Sequence, residues 1–173
     1  MLHRITGRAV KCGPSAISAI AGVPTHEAAA AIRRLSGRHA VNGVYIDELV
    51  AALERFGWAP DYALRHPDYC DRRYARLESQ WRRFFAHLPF GVRAVTLGKL
   101  LDAAPPGTWV ITASNHFVAY GDGHVADSGA WLSRNPIPWS RANPDHRRVA
   151  LRRVQEAVRF VPLARRNPQT EEC

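Results

Sequence analysis

Three side chains in this sequence have the types and the spacing that nucleophilic acyl chemistry requires. The first is Cys12, which stands directly before Gly13-Pro14 and an apolar run. Proline suits the first turn of a helix, because the N–H that it lacks is one that a helix start leaves without an intrahelical partner. The positive end of a helix dipole favours a thiolate over a thiol. The stretch therefore predicts a nucleophilic cysteine at a helix N-terminus.

The other two side chains, His116 and Asp127, flank a predicted β-hairpin. The intervening Asp-Gly pair is a strong hairpin signal. A turn at Asp122-Gly123 places His116 and Asp127 on the same face, two residues apart in register, and a turn at Gly121-Asp122 makes them directly opposite. A three-residue turn would place them on opposite faces. The turn chemistry therefore favours a His–carboxylate pair.

Such a pair is what a cysteine nucleophile needs. His116 would take the thiol proton and later protonate the leaving group, while Asp127 would fix the tautomer and orientation of the ring. The backbone N–H of Cys12 is a candidate donor to the oxyanion. Each residue alone also has an ordinary interpretation: a buried cysteine, a strand histidine and a turn carboxylate. Their conjunction favours the functional interpretation.

The order of Cys-helix, helical lobe, strand-borne His, hairpin and Asp resembles the papain-like cysteine peptidases. The resemblance is to their compact bacterial and phage branch, which includes bacteriocin-leader-processing peptidases. The matching stretches are 11–16 and 115–128, and the likeness covers the architecture of about residues 1–130. The segment 58–95 has no counterpart, so we interpret it as an insert or an elaboration of the helical lobe.

The resemblance implies an α+β fold in which an N-terminal helical lobe packs on a C-terminal antiparallel sheet, with the site in the cleft between them. It implies that Cys12 is the nucleophile, His116 the base and Asp127 the orienting residue. The family usually has a Gln about six residues before the cysteine as an oxyanion donor, and Thr6 stands there in this chain. Thr6 and Asn115 are the candidate second donors, with His3 as a further alternative.

The expected function is cleavage of a peptide or isopeptide bond in a protein or peptide substrate. The same triad also performs deamidation, transglutamination and acyl transfer, and the sequence does not separate these reactions. A different class of function is a catalytically weak or inactive module of this fold that binds nucleic acid or an acidic protein.

The charge of the chain bears on its partners. Lys+Arg number 24 and Asp+Glu 15, a formal net charge of +9. This balance favours an acidic substrate, an acidic protein partner or nucleic acid, although arginine-rich usage can also reflect a GC-rich genome. The basic pairs are dispersed along the chain, unlike one nucleic-acid-binding tract. The oligomeric state is left open.

The apolar runs and the cysteines of the sequence indicate where the protein is located and whether it binds a metal or cofactor. No apolar run is long enough for a membrane span and no signal peptide is predicted. Cys12, Cys70 and Cys173 are odd in number and lack metal-ligand spacing, which indicates free thiols in a reducing, cytoplasmic location. His66 and Cys70 are four residues apart, but Pro67 would break an aligning helix, so neither a metal site nor a cofactor is expected.

Length and periodicity predict one domain over 1–164 with a flexible tail at 165–173. Helices are predicted over 15–21, 25–35, 46–56 and 97–102, and strands over 109–113, 116–120 and 157–162. We predict an irregular stretch at 58–73 and a basic amphipathic helix over 74–88, whose aromatic stripe belongs to the core. The segment 146–161 fits neither the helical nor the strand period.

Overall fold

The computed structural model describes residues 1–8, 11–67, 77–86 and 95–163. The helices in these residues are α1 (Cys12–Ala21), α2 (Thr25–Ser36), α3 (Ile46–Arg55), α4 (Trp81–Phe84), α5 (Leu97–Ala103) and α6 (Pro144–Ala150). The strands are β1 (Trp58–Arg65), β2 (Thr108–Ala113), β3 (His116–Gly121), β4 (His124–Ala126), β5 (Ile137–Pro138) and β6 (Val154–Pro162).

The first three helices form the helical lobe, and all three were predicted. Gly22 and Gly37 end α1 and α2 in the left-handed conformation, which glycine adopts without steric cost. Helix α1 is buried along almost its whole length and packs against α2, α3 and strand β3. The helix that carries Cys12 is therefore the central helix of the lobe.

The strands form one six-stranded sheet in the order β1-β6-β2-β3-β4-β5, with antiparallel pairing between the named strands. Side chains alternate between its two faces, as the pleat requires. On β3, Phe117 and Ala119 join the core under α1–α3, whereas Val118 and Tyr120 join a second core with residues of α4, α5 and α6. The expected α+β arrangement, helices first and the antiparallel sheet after them, is confirmed.

The prediction of an irregular stretch at 58–73 is wrong for residues 58–65, which form strand β1. The segment contains Pro60 and Pro67, and proline lacks the backbone N–H that pairing within a sheet requires. However, β1 is an edge strand, and its pairing with β6 shifts register between Pro60 and Tyr62. An edge strand and a bulge are the two places where a sheet tolerates proline. Residues 68–73 lie outside the described part of the chain.

The predicted basic helix over 74–88 is also wrong for residues 77–80, and the described helix there is only α4. Ser79 instead bridges Ala63 of β1, and its hydroxyl accepts a hydrogen bond from Arg65 N–H at 2.9 Å. A serine side chain that bonds to backbone competes with helix formation. Tyr74 and Leu88 lie outside the described residues. Trp81 and Phe85 are buried, which confirms that these two aromatics belong to the core.

The ambiguous segment 146–161 contains both structures. Helix α6 begins after Asn143, whose side chain accepts a hydrogen bond from Asp145 N–H, and strand β6 follows after a short connection. The strand predicted at 157–162 is confirmed and begins three residues earlier. In the part of the chain that is described, no helix is long and apolar enough to cross a membrane. The domain boundary at 164 stays a prediction, and the tail at 165–173 is outside the described residues.

Candidate active site

Cys12 is the first residue of α1, so its backbone N–H is one of those that a helix start leaves without an intrahelical acceptor. The next residue allows a close approach by the neighbouring loop. A Cβ added to Gly13 would lie 2.6 Å from Cγ2 and 2.9 Å from Cβ of Val44. The absence of a side chain at Gly13 thus lets Val44 pack against the first turn of α1 and hold it in place.

The β3–β4 hairpin has the register that a turn at Asp122-Gly123 predicts. Ala119 pairs with Ala126, and the two turn residues have φ values of 50° and 79°, as a type I′ turn requires. His116 and Asp127 consequently share a face, and His116 Nε2 lies 2.9 Å from Asp127 Oδ2. The predicted pairing of these two side chains is present in the structure.

The carboxylate of Asp127 is enclosed by the loop that follows it. Oδ1 accepts hydrogen bonds from Gly129 N–H at 2.7 Å and Leu132 N–H at 3.2 Å. Oδ2 accepts one from Trp131 N–H at 3.0 Å in addition to the contact with His116. Asp127 is only 1% exposed, so these bonds replace the water that an ionised carboxylate needs.

The thiol of Cys12 meets the opposite side of the imidazole. With Nε2 directed to Asp127, Nδ1 is the ring nitrogen that remains for the side-chain hydrogen bond between His116 and Cys12. The sulfur also takes a hydrogen bond from the backbone of Phe117. Cys12, His116 and Asp127 thus form one connected chain of hydrogen bonds.

The contribution of Phe117 follows from where strand β4 ends. N–H groups along β3 point alternately to β2 and to β4. Because His116 pairs with Ala113 next to the β2–β3 turn, the His116 N–H points to β2 and the Phe117 N–H points to the side of β4. The pairing of β4 with β3 ends at Ala126, opposite Ala119, so it does not reach Phe117. The N–H of Phe117 is therefore directed at the sulfur instead of at a strand.

These contacts shift the pKa values of the pair in opposite directions. Burial, the largest influence, raises the pKa of the Cys12 thiol, but hydrogen bonds from His116, Phe117 and Gly13 and the imidazole charge outweigh it and lower the pKa below 9.0. Burial likewise lowers the pKa of His116, yet Asp127 and Cys12 raise it to about 9. Both shifts favour the thiolate–imidazolium form of the pair over the neutral thiol–imidazole form.

The third member of the chain is ionised for a similar reason. Burial raises the pKa of the Asp127 carboxyl, but the hydrogen bonds from His116 and from the N–H groups of Gly129 and Trp131 outweigh burial and lower it. The imidazolium thus lies between two anions. This arrangement can hold a proton at the centre of the site while the sulfur stays nucleophilic.

Trp131 covers the imidazole. Its ring centroid lies 4.2 Å from that of His116, with the planes tilted by 36°, and the guanidinium of Arg152 lies 4.9 Å from the Trp131 ring centroid. The His116 side chain is 12% exposed. A cover of this kind limits the access of water to the bond between His116 and Asp127, which strengthens that bond.

The candidate second oxyanion donors lie in different places. Thr6 is exposed, and its carbonyl oxygen accepts a hydrogen bond from Thr25 N–H at the start of α2. Asn115 precedes His116, and its Oδ1 accepts a hydrogen bond from Gln155 Nε2 at 2.8 Å, so its Nδ2 is the group that could donate. Their roles stay predictions.

The alternative donor His3 is in the wrong place. Its ring lies 3.2 Å from where a Cβ of Gly22 would be, at the C-terminal end of α1. Cys12 is at the other end of this helix, about 15 Å away at 1.5 Å per residue. An imidazole at that distance cannot reach an oxyanion beside the sulfur of Cys12.

Sequence reasoning missed three contributors to the site. Trp131 was visible only as an aromatic residue in a loop, and the hydrogen-bond donor at Phe117 depends on where β4 ends. Gln155 accepts a hydrogen bond from Asn115 N–H at 2.7 Å and so holds the turn that precedes His116. The only local signal for the loop around Asp127 is Asp-Ser-Gly, since Gly129 has a φ of +89°.

Of the His66 and Cys70 pair considered as metal ligands from the sequence, the structure describes only His66. Among the described residues, no group of three His, Cys, Asp or Glu side chains could hold a metal ion. The ring of His66 packs edge-on against Trp81, 5.1 Å between centroids. Cys70 and Cys173 lie outside the described residues.

No protein-family model and no curated protein matches this chain. It is similar to a solved structure described as a double glycine motif protease from an AMS/PCAT transporter in complex with the leader peptide. That likeness has a TM-score of 0.49 and 12% sequence identity, and it covers 94% of this chain and 92% of the other.

Proposed function

We propose that this chain is a cysteine hydrolase that cleaves a peptide or isopeptide bond with Cys12 as nucleophile, His116 as acid and base, and Asp127 as the orienting residue. One observation carries the proposal: the thiol is hydrogen-bonded to an imidazole whose Nε2 is held 2.9 Å from a buried carboxylate. A structural cysteine needs neither partner, whereas a nucleophilic one needs both.

In the first half of the reaction, the thiolate of Cys12 attacks the carbonyl carbon and forms a C–S bond. The carbonyl oxygen becomes an oxyanion, and the N–H of Cys12 at the start of α1 is positioned by the helix to stabilise it. His116 donates its Nδ1 proton to the nitrogen of the leaving group, the C–N bond breaks and a thioester remains on the enzyme.

In the second half, neutral His116 removes a proton from a water molecule, which attacks the thioester carbonyl carbon. The C–S bond breaks, the product carboxylic acid leaves and the thiolate–imidazolium pair is restored. Throughout both halves, Asp127 holds Nε2 of His116, so that Nδ1 always faces the sulfur. A free thiolate is maintained in a reducing compartment, in keeping with the expected cytoplasmic location.

The test is digestion of a peptide library by the purified full chain, with new termini detected by mass spectrometry. The wild type should generate termini that the variants Cys12→Ala and His116→Gln do not. Equal products from wild type and Cys12→Ala would contradict the proposal. Added hydroxylamine tests for the thioester intermediate, because it attacks that thioester and appears in the product as a hydroxamate.

A second measurement tests the nucleophile without a substrate. Iodoacetamide should alkylate Cys12 at pH 6 faster than a model thiol, of which only about 0.3% is ionised at that pH. The variant His116→Gln should remove most of this advantage. An unchanged rate in the variant would show that the imidazole does not activate the thiol.

A further inference from the structure

A cavity of about 640 Å³ lies directly beyond Trp131, the residue that covers His116. Its walls combine the loop after Asp127 with helix α6 and the residues just beyond it. The residues that matter here are Trp131, Asp145, His146, Arg148 and Arg152. The mechanism proposed above uses none of the residues contributed by α6.

The floor of this cavity is held by specific contacts. His146 is fully buried and stacks on Trp139, with parallel rings 5.1 Å apart. Nδ1 of His146 pairs with the backbone of Ser140, and its Nε2 lies 3.3 Å from Asn143 Nδ2. A buried, fully engaged ring under the cavity fixes helix α6 relative to the loop.

Two arginine side chains contribute to the lining of the cavity. Arg148 lies in the last turn of α6, and Arg152 lies two residues beyond the end of that helix. The backbone of Arg152 is fixed on both sides, because its N–H donates to Val149 O and its carbonyl oxygen accepts from Leu97 N–H. Its side chain rests on Trp131, which pre-orients the fork of N–H donors.

The charge of these walls selects the ligand. The lining includes one carboxylate, that of Asp145, and the side chains of two arginines, Arg148 and Arg152. A guanidinium held over an aromatic ring binds a carboxylate with two parallel hydrogen bonds, a geometry that a neutral side chain cannot use. The balance of charge and the available donors therefore favour a carboxylate in the cavity.

The place of the cavity relative to the reacting atoms gives the position of that carboxylate. In the proposed reaction, His116 protonates the leaving group, so the leaving part of the substrate lies beside His116 and Trp131. From His116, the Trp131 centroid is 4.2 Å away, and Arg152 Cζ lies 4.9 Å from that centroid. An extended peptide advances about 3.3 Å per residue, so it reaches Arg152 within about three residues.

We propose that this cavity, through Arg148 and Arg152, binds an Asp or Glu side chain located within the first three residues after the scissile bond. The position of the acidic residue rests on the function proposed above, whereas the binding of a carboxylate by the cavity does not. The substrate class is therefore a peptide with an acidic segment on the carboxyl side of the cleavage site.

The binding test uses full-length Cys12→Ala protein and two short fluorescein-labelled peptide amides that differ only in two aspartates replaced by asparagines. Fluorescence anisotropy should show that the aspartate peptide binds about tenfold more tightly. Adding Arg148→Gln or Arg152→Gln should remove the preference, and Arg152→Lys should restore only part of it. Arg147→Gln is the matched control, since it removes the same charge from the same helix outside the cavity lining.

Equal affinity for the two peptides, or an equal loss in Arg147→Gln, would overturn the proposal. The cleavage test is the digested library described above, in which acidic residues should be enriched after the cleavage site and the enrichment should disappear in Arg148→Gln. Cleavage without enrichment refutes the inference and leaves the hydrolase intact. An aspartate preference in binding together with no cleavage refutes the hydrolase and leaves the carboxylate site intact.

Discussion

Replacing Asp127 by asparagine perturbs the buried end of the hydrogen-bond chain with almost no change in shape. In the wild type, each carboxylate oxygen accepts two hydrogen bonds: Oδ1 from Gly129 and Leu132, and Oδ2 from Trp131 and His116. An amide keeps one acceptor oxygen and presents an NH₂ group at the other position. At the Oδ1 position the NH₂ group faces two N–H donors, whereas at the Oδ2 position it faces the Trp131 N–H and can itself donate to Nε2 of a His116 in the Nδ1–H tautomer.

The size of the effect follows from this count. One or two of the four hydrogen bonds to a charged acceptor are lost, depending on the orientation of the amide, at about 1.5–3 kcal/mol each. Asp127 is 1% exposed, so water does not replace them. We expect Asp127→Asn to lower the free energy of unfolding by about 1.5–6 kcal/mol, with the lower end applying where the amide donates to His116. Domains have about 5–15 kcal/mol in total, so a loss in the lower half of this range leaves a folded variant that unfolds at much lower urea.

The assay is urea unfolding at pH 7 followed by tryptophan fluorescence, with Asp122→Asn as the matched control. The Asp122 carboxylate is 59% exposed and pairs with the N-terminal ammonium at 3.2 Å. Asn-Gly forms the same turn type as Asp-Gly, so the control should stay within about 0.5 kcal/mol of the wild type. Exposed ion pairs contribute up to about 1 kcal/mol. If the free energy of unfolding of Asp127→Asn lies within that range of the control, the hydrogen bonds that enclose Asp127 do not stabilise the fold as argued here.

Three further predictions concern other parts of the site. The pKa of Cys12 is lowered and that of His116 is raised to about 9. The rate of acylation by a peptide ester should therefore fall as pH rises through about 9, because His116 loses the proton that the leaving group needs, whereas the rate of iodoacetamide alkylation should not fall. Parallel falls in both rates would contradict the assignment of His116 as the acid. Trp131→Ala should move the alkaline limb of the pH profile of acylation to higher pH, because it exposes the imidazole to water and so removes part of the burial that lowers the pKa of His116, and Trp131→Phe should move the limb less. Gly13→Ala should lower the free energy of unfolding by about 1–3 kcal/mol because of the clash with Val44. Urea unfolding of the double variant, with Val44→Ala added, should show that most of this loss is relieved. No relief would mean that the clash is not the cause.

The parts of this fold that the sequence could predict are those coded by neighbouring residues. The glycines after α1 and α2 mark their ends, and the Asp122-Gly123 pair sets the register that brings His116 and Asp127 to one face. Each of these signals works through backbone conformation over a few positions. Backbone preferences of this kind act in the same way in different tertiary environments.

The parts that could not be predicted depend on partners far away in the chain. Residues 58–65 form a strand because β6 lies beside them, nearly a hundred positions later. Ser79 leaves a helical pattern for the same reason, since Arg65 and Ala63 offer it a strand to pair with. The spacing of apolar residues describes only the segment in which they lie, so pairing with a distant strand can override the structure that the spacing predicts.

The turn between β2 and β3 shows how distant contacts also set the position of the candidate base. Ser114 and Asn115 have φ values of 45° and 62°, a conformation that is unfavourable for residues with side chains, at about 1–3 kcal/mol for a strained position. Hydrogen bonds to the start of β6 oppose this cost: Ser114 N–H donates to Arg153 O at 3.0 Å, and Gln155 pairs with both the backbone and the side chain of Asn115.

Those bonds make β6 part of the site although no residue of β6 touches the sulfur in the arrangement described above. The turn leads directly into His116, so any slip of the turn would move the imidazole along β3 and away from both Cys12 and Asp127. A two-residue turn also fixes which backbone groups of β3 face β2, and hence that Phe117 N–H points to the thiol. The same local strain therefore fixes the imidazole and the backbone donor relative to one sulfur atom.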